Sequence, residues 1–183
     1  KNIILVDFSF QPDDEMTKAI ATSASMVWID HHISAINKFG NMGISGFRDT
    51  QYAACELTWK YFFPYLKIPE SVEMLGKFDS WRHNGDQKIL SFESFMQSFD
   101  TDPKTFDWEP IFNLSPEEIS KTCETGTAIM RRDSILNARN MKNAFEKEIN
   151  GLHCLCLNSQ SKGSLIFGDK LHEYDACLVF FRM

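Results

Sequence analysis

Ile3-Ile4-Leu5-Val6 is wholly apolar and ends on Asp7. Such a run fits a strand buried on both faces of a parallel sheet better than a half-exposed one, which would alternate. Pro12-Asp13-Asp14-Glu15 has the make-up of a helix start, with acids in the first turn. Met16, Ile20 and Ala21 then recur at helical spacing. A second apolar run, Met26 to Ile29, predicts the next strand, and Ser34 to Lys38 a short helix. Gly40, Gly43 and Gly46 mark a loop around a short strand over 44–47. A helix over 51–63 stops at Pro64. Alternating strands and helices predict a parallel sheet with helices on its faces. Binding residues in such sheets collect beyond the carboxyl ends of the strands. Asp7 and Asp30 both stand at such ends.

From residue 67 the pattern becomes helical. A helix ending near Phe78 leads into Asp79-Ser80-Trp81-Arg82-His83, and shorter helices are predicted over 88–99 and 104–113. Ser115-Pro116-Glu117-Glu118 combines a serine cap, proline at the first position and glutamate at the third. The helix it opens is expected to run to about Ile149, with Gly126 weakening its middle. Strands are predicted over 152–157, 164–167 and 176–181. The fold class read from this order is α/β: a parallel-sheet domain over 1–115, a linking helix over 116–150, and the beginning of a smaller mixed α/β domain over 151–183.

The apolar fraction of 43 % and the 16 Phe and 4 Trp provide enough apolar surface for a sizeable core. A net charge of -6 argues against coating long duplex nucleic acid, which calls for a broad basic face. It leaves room for a short anionic substrate, because metal ions can supply local positive charge. Cys55, Cys123, Cys154, Cys156 and Cys177 are odd in number and mostly in apolar surroundings, which reads as free thiols in a reducing cytosol. No stretch approaches the ~20 apolar residues of a membrane span, and no signal peptide is visible. The expectation is a cytoplasmic protein without a membrane partner.

Asp30-His31-His32 closes the second strand run. Neighbours on a strand point to opposite faces, so one histidine could hold a metal while the other meets substrate. An aspartate beside metal-binding histidines commonly fixes their tautomer and orientation. Asp7, His31 and Asp79 form the candidate ligand set, since two carboxylates and an imidazole suit Mn²⁺, Mg²⁺ or Zn²⁺. Taken singly, each piece has a plainer reading. An aspartate after a strand is often a turn or cap residue, and a histidine pair is often a surface loop.

The triplet, the Val6-Asp7 strand end, Asp79 within Lys77-Phe78-Asp79-Ser80-Trp81 and the helix segment Ala53-Ala54-Cys55-Glu56-Leu57-Thr58-Trp59 together resemble the DHH phosphoesterase superfamily, in its oligoribonuclease-like branch. The resemblance implies a Mn²⁺-dependent phosphodiesterase, with two ions in the complete enzyme and Mg²⁺ as the other candidate. It implies that Asp7 bridges the ions, that His31 and Asp79 complete one shell, that His32 contacts the scissile phosphate, and that Asp30 orients the histidines. Arg82 and His83 would bind substrate. The partner would be a short oligonucleotide or a small nucleotide phosphodiester, and a homodimer is an allowed assembly.

The family's first motif, an Asp-x-Asp group ahead of the Val-Asp strand, and its C-terminal glycine-rich motif are not among these residues, and Ala53 stands where many relatives have serine. Two readings follow: the middle of a longer enzyme, or a non-catalytic remnant that binds a nucleotide or partner. A pyrophosphatase-like phosphoanhydride hydrolase is the further alternative.

Overall fold

The computed structural model describes residues 1–159 and 164–181, in two compact units, Lys1–Gly126 and Thr127–Met183. The chain is mixed α/β, with a small parallel sheet in the first unit and a mixed sheet in the second.

In the first unit, β1 (Asn2–Val6) and β2 (Ser25–Ile29) pair in parallel, from Asn2 opposite Ser25 to Val6 opposite Ile29. The crossover between them is α1 (Asp13–Thr22). After α2 (Ile33–Phe39), residues 44–48 return alongside β2 through two isolated parallel bridges, Val27 with Ser45 and Asp30 with Arg48. The strand expected over 44–47 is thus a bridged segment. It is held by Trp28 N–H donating to Ser45 O at 2.8 Å and Asp30 N–H donating to Phe47 O at 3.1 Å. Arg48 reinforces it by donating to Trp28 O at 3.0 Å and Ile44 O at 2.9 Å. A core of Leu5, Met16, Met26, Trp28, Ala35, Phe39 and Ile44 packs these elements together. Trp28 is wholly buried and meets Phe39 edge-on at 6.2 Å between ring centroids.

The helical part of this unit comprises α3 (Ala54–Phe62), α4 (Glu70–Asp79), α5 (Gln87–Met96) and α6 (Glu109–Phe112). Met74, Ile89, Phe92, Met96 and Ile119 form its core. Several boundaries differ from the sequence reading; the helix expected over 88–99 is α5 and ends at Met96. α3 begins at Ala54 instead of 51, because the Asp49 carboxylate takes the Gln51 N–H at 2.8 Å and holds that stretch in a turn. The helix expected over 104–113 shrinks to α6, because Asp102 and Asp107 accept from the backbone N–H groups of Lys104 and Glu109 at 2.9 and 3.1 Å. Such local bonds compete with helix continuation. Asp79 is the last residue of α4 and not part of the loop that follows it.

α7 (Pro116–Asn140) opens on the expected capping box. Ser115 N–H donates to Glu118 Oε2 at 2.8 Å, and Glu118 N–H donates to Ser115 Oγ at 3.3 Å. The helix stops at Asn140, not near Ile149. Residues 145–149 are β3 (Phe145–Ile149), antiparallel to β4 (Leu152–Asn158), so the linking helix does not extend to 150. The cause is the two-residue turn Asn150-Gly151, with φ of 53° and 80°. Two successive left-handed residues make the hairpin turn whose twist matches the flanking strands. Gly151→Ala puts a Cβ into that left-handed position and is expected to lower the second unit's stability by about 1 kcal/mol; urea denaturation followed by far-UV circular dichroism measures it.

β5 (Ala176–Phe180) lies parallel to β4. The strand expected over 164–167 is a 3-10 segment, Ser164–His172. Ile166 and Phe167 are both buried, and burial of consecutive residues matches a helical turn and not a half-buried strand. None of the five cysteines is in a disulfide. Among the described residues no helix is long and apolar enough to cross a membrane.

Candidate metal centre

β1 and β2 end side by side, and each hands its next residue to the same rim. Asp7 N–H donates to Ile29 O at 2.9 Å, which fixes the end of β1, and Asp7 itself turns into a left-handed conformation with φ of 57°. That conformation is uncommon outside glycine, although aspartate tolerates it better than most residues. β2 stops at Ile29 and α2 starts at Ile33, so the triplet occupies the turn between them.

The two histidines therefore do not alternate as they would on a strand. Their rings lie 4.5 Å apart, and both approach Asp7. His31 Nε2 is 3.1 Å from Asp7 Oδ1 and 3.3 Å from Asp79 Oδ2, while His32 Nδ1 is 3.5 Å from Asp7 Oδ1. One donor atom each from Asp7, His31 and His32 falls within a 4.8 Å cluster. Asp79 joins from the end of α4.

Asp30 is 1 % exposed and organises the turn from beneath. Its Oδ1 accepts from the backbone N–H of His31 at 2.7 Å and of His32 at 3.0 Å, and it lies 2.8 Å from His32 Nδ1. Its Oδ2 accepts from Trp28 Nε1–H at 3.2 Å. This bond network assigns the proton to His32 Nδ1 and leaves its Nε2 free. The same contact raises the His32 pKa, through the Asp30 hydrogen bond first, against partial desolvation.

A divalent cation fits these residues. His31 Nε2 is buried and has no hydrogen-bond partner: the two carboxylates are close to it, but neither contact has hydrogen-bond alignment. An orphaned buried imidazole nitrogen carries a desolvation penalty that a metal ion removes. Burial raises the Asp7 carboxyl above its ordinary range; His31 opposes this, Asp79 adds to it, and the smaller influences of His32 and Asp30 oppose and add in turn. A cation reverses that deficit of positive charge. Two carboxylate oxygens and imidazole nitrogens form a donor set suited to Mn²⁺, Mg²⁺ or Zn²⁺.

Asp7 stands between two clefts. One, of about 320 Å³, is lined by Asp7, Ser9, Gln11, His32, Ser34 and Lys38 among others. The other, of about 350 Å³, is lined by Asp7, Asp79, Glu93, Cys55, Leu75 and Phe78 among others. Cys55 reaches solvent there but sits deep among protein atoms. That desolvation, with the charges of Glu56 and Asp79, pushes its thiol up to about 12. It is a neutral thiol at pH 7 and not a thiolate ligand.

Arg82 and His83 have other partners. Arg82 pairs with Glu56, which is 1 % exposed, donates to Ser80 Oγ at 2.7 Å and lies 5.3 Å over the Tyr52 ring. Glu56 also accepts from Ala53 N–H at 2.9 Å, the glutamate half of a capping box in which alanine has no oxygen to return. His83 stacks on Phe78 at 5.7 Å and accepts from Gly85 N–H at 3.1 Å. Removing one partner of a buried ion pair strands the other. Arg82→Ala is therefore expected to cost about 3 kcal/mol of stability by denaturant titration. Adding Glu56→Gln to it should recover part of the loss.

Glu93 is the cleft residue that the sequence reading passed over. With Ile89, Phe92 and Met96 it occupies the apolar stripe of α5 at spacings of three and four. A carboxylate on that stripe was the available signal. Burial raises its pKa, opposed by a hydrogen bond from Gln97, with Asp79 adding to the rise.

No family model, curated protein or solved structure matches this chain.

Proposed function

We propose that this chain carries the metal-binding core of a DHH-type, Mn²⁺-dependent phosphodiesterase that hydrolyses short oligoribonucleotides or small nucleotide phosphodiesters. The observation that carries the reading is the orphaned His31 Nε2 between the carboxylates of Asp7 and Asp79. When bound there, a divalent ion lowers the pKa of a coordinated water and polarises a phosphoryl oxygen. The chain's own residues supply the rest. Asp30 fixes the backbone of both histidines and the ring of His32, and His32 lines the cleft beside Asp7.

Trp81 supports a nucleotide substrate. It lies two residues beyond Asp79, is 75 % exposed and has φ of 59°. An exposed indole offers a stacking face to any base. Trp81→Ala is expected to weaken binding of a short oligoribonucleotide by about 10-fold, leaving the unfolding midpoint nearly unchanged. Fluorescence titration with a non-hydrolysable oligonucleotide reads the first effect and thermal denaturation the second.

The decisive experiment is Mn²⁺-dependent release of mononucleotides from a short RNA, using the full-length protein and its Asp30→Ala, His31→Ala double variant. Loss of release in the variant supports the reading, and equal rates sink it. Mn²⁺ and dinucleotide binding by the full-length protein without any turnover would favour the binding-module alternative. Hydrolysis of pyrophosphate but not of RNA would favour the phosphoanhydride hydrolase.

A further inference from the structure

We propose that the cleft on the α2 side of Asp7 is an anion site that takes a phosphate group of the substrate, with Lys38 as its cation. The inference deepens the phosphodiesterase reading and rests on it for the identity of the substrate, but its cation and its hydroxyl and amide groups come from residues outside the metal ligands.

Four observations carry it. First, Ser34 and Lys38 are four residues apart on α2, and both line the cleft that Asp7 and His32 border. At that spacing two side chains share one helix face. Second, among the described residues lining the two clefts Lys38 is the one lysine or arginine; the other cleft has Asp79 and Glu93 beside Asp7. The two sides of Asp7 therefore differ in charge: one sets the Lys38 ammonium beside the carboxylates of Asp7 and Asp30, the other gathers Asp7, Asp79 and Glu93 without a cation, so a phosphate meets less repulsion on the Lys38 side. Third, Ser9, Gln11 and Ser34 bring two hydroxyls and an amide to the cleft, and among the described residues none of these side chains has a hydrogen-bond partner in the protein. Fourth, His32 borders the cleft, and with Nδ1 committed to Asp30 its Nε2 is the uncommitted ring nitrogen.

The obvious objection is the ion pair of Lys38 with Asp13, from the first turn of α1. Both partners are about half exposed, with side-chain exposures of 42 % and 56 %. Pairs of this kind contribute little to stability, so a phosphate dianion can replace the single carboxylate at small cost. Asp13 then acts as a placeholder that keeps Lys38 over the cleft in the free protein.

The test is calorimetric titration of the chelator-treated protein with inorganic phosphate at fixed ionic strength, for the wild type, Lys38→Gln, Lys38→Arg and Asp13→Asn. Lys38→Gln is expected to weaken phosphate binding about 10-fold, the loss of one charge-assisted hydrogen bond. Lys38→Arg should stay within about 3-fold of the wild type, and Asp13→Asn should bind more tightly because it frees the ammonium. If Lys38 and Asp13 are only a clamp between α1 and α2, both neutral variants lower the melting temperature alike and leave phosphate affinity unmoved. That result, or no phosphate binding by the wild type, overturns the proposal. A parallel Mn²⁺ titration separates this from the metal reading: Lys38→Gln should leave Mn²⁺ affinity unchanged. Failure of the wild type to bind Mn²⁺ would defeat that reading without touching the phosphate result.

Discussion

His31→Ala is expected to lower Mn²⁺ affinity by more than about 100-fold, and Mn²⁺-dependent hydrolysis with it. The benchmark is the loss of a supporting group, which typically costs 10- to 100-fold in metal affinity; a direct ligand should cost more. His31 Nε2 lies within 3.3 Å of carboxylate oxygens from both Asp7 and Asp79, so its removal takes the nitrogen from the middle of the set. Asp30→Asn provides the graded comparison. It keeps the shape but replaces an acceptor of four contacts, to His31 N, His32 N, His32 Nδ1 and Trp28 Nε1. Its effect should fall in the 10- to 100-fold range. The same substitution strains a buried network, so Asp30→Asn should also lower stability by about 1–3 kcal/mol. His31→Ala should lower it far less, because it removes an atom that has no hydrogen bond to lose. Calorimetry with Mn²⁺ and denaturant titration on both variants separate the roles. Unchanged Mn²⁺ affinity in His31→Ala would refute the ligand assignment.

What the sequence made legible follows from where strands end. Two apolar runs located β1 and β2, and parallel pairing of those strands brings Asp7 and the triplet to one rim. Asp79 enters the ligand set on its donor chemistry and on the family resemblance, since nothing in local periodicity ties residue 79 to residue 31. The errors have a common physical origin: side chains that compete for the backbone. Asp49, Asp102 and Asp107 each cap a turn inside a stretch whose apolar spacing suggested a longer helix. Asn150-Gly151 dictates a hairpin, yet the charged face of Phe145-Glu146-Lys147-Glu148-Ile149 also suits a helix end, and the turn signal outweighs it. The histidine pair alternates only if it is in a strand, and β2 stops one residue before the triplet. Arg82 looked like a substrate contact because its partner, Glu56, lies 26 residues away and is buried by tertiary packing that no local window contains. Lys38 and Glu93 were hidden for the same reason: each becomes notable only when the fold sets it beside Asp7.

Gly46→Ala is expected to destabilise the first unit by at least about 3 kcal/mol and to weaken Mn²⁺ binding without touching a ligand. Gly46 has φ of 118°, and a Cβ there would lie 2.2 Å from Trp28 O and 2.9 Å from Trp28 N. Both neighbours are backbone atoms of β2, so no side chain can yield; the 44–48 segment must lift away. Backbone strain at positive φ costs about 1–2 kcal/mol, and overpacking against an unyielding neighbour about 1–3 kcal/mol. Lifting the segment breaks the Trp28 N–H to Ser45 O and Asp30 N–H to Phe47 O bonds and draws Arg48 from Trp28 O. Those bonds hold the end of β2, from which Asp30 and both histidines are hung. The candidate metal centre is thus expected to depend on a glycine 15 residues along the chain from His31 that contributes no ligand atom. The control is Gly43→Ala, which meets nothing within 4 Å and differs by carrying strain alone, with φ of 68°. It should cost about 1 kcal/mol and leave Mn²⁺ affinity intact. Equal effects of the two substitutions on Mn²⁺ affinity would mean that the 44–48 segment does not support the site.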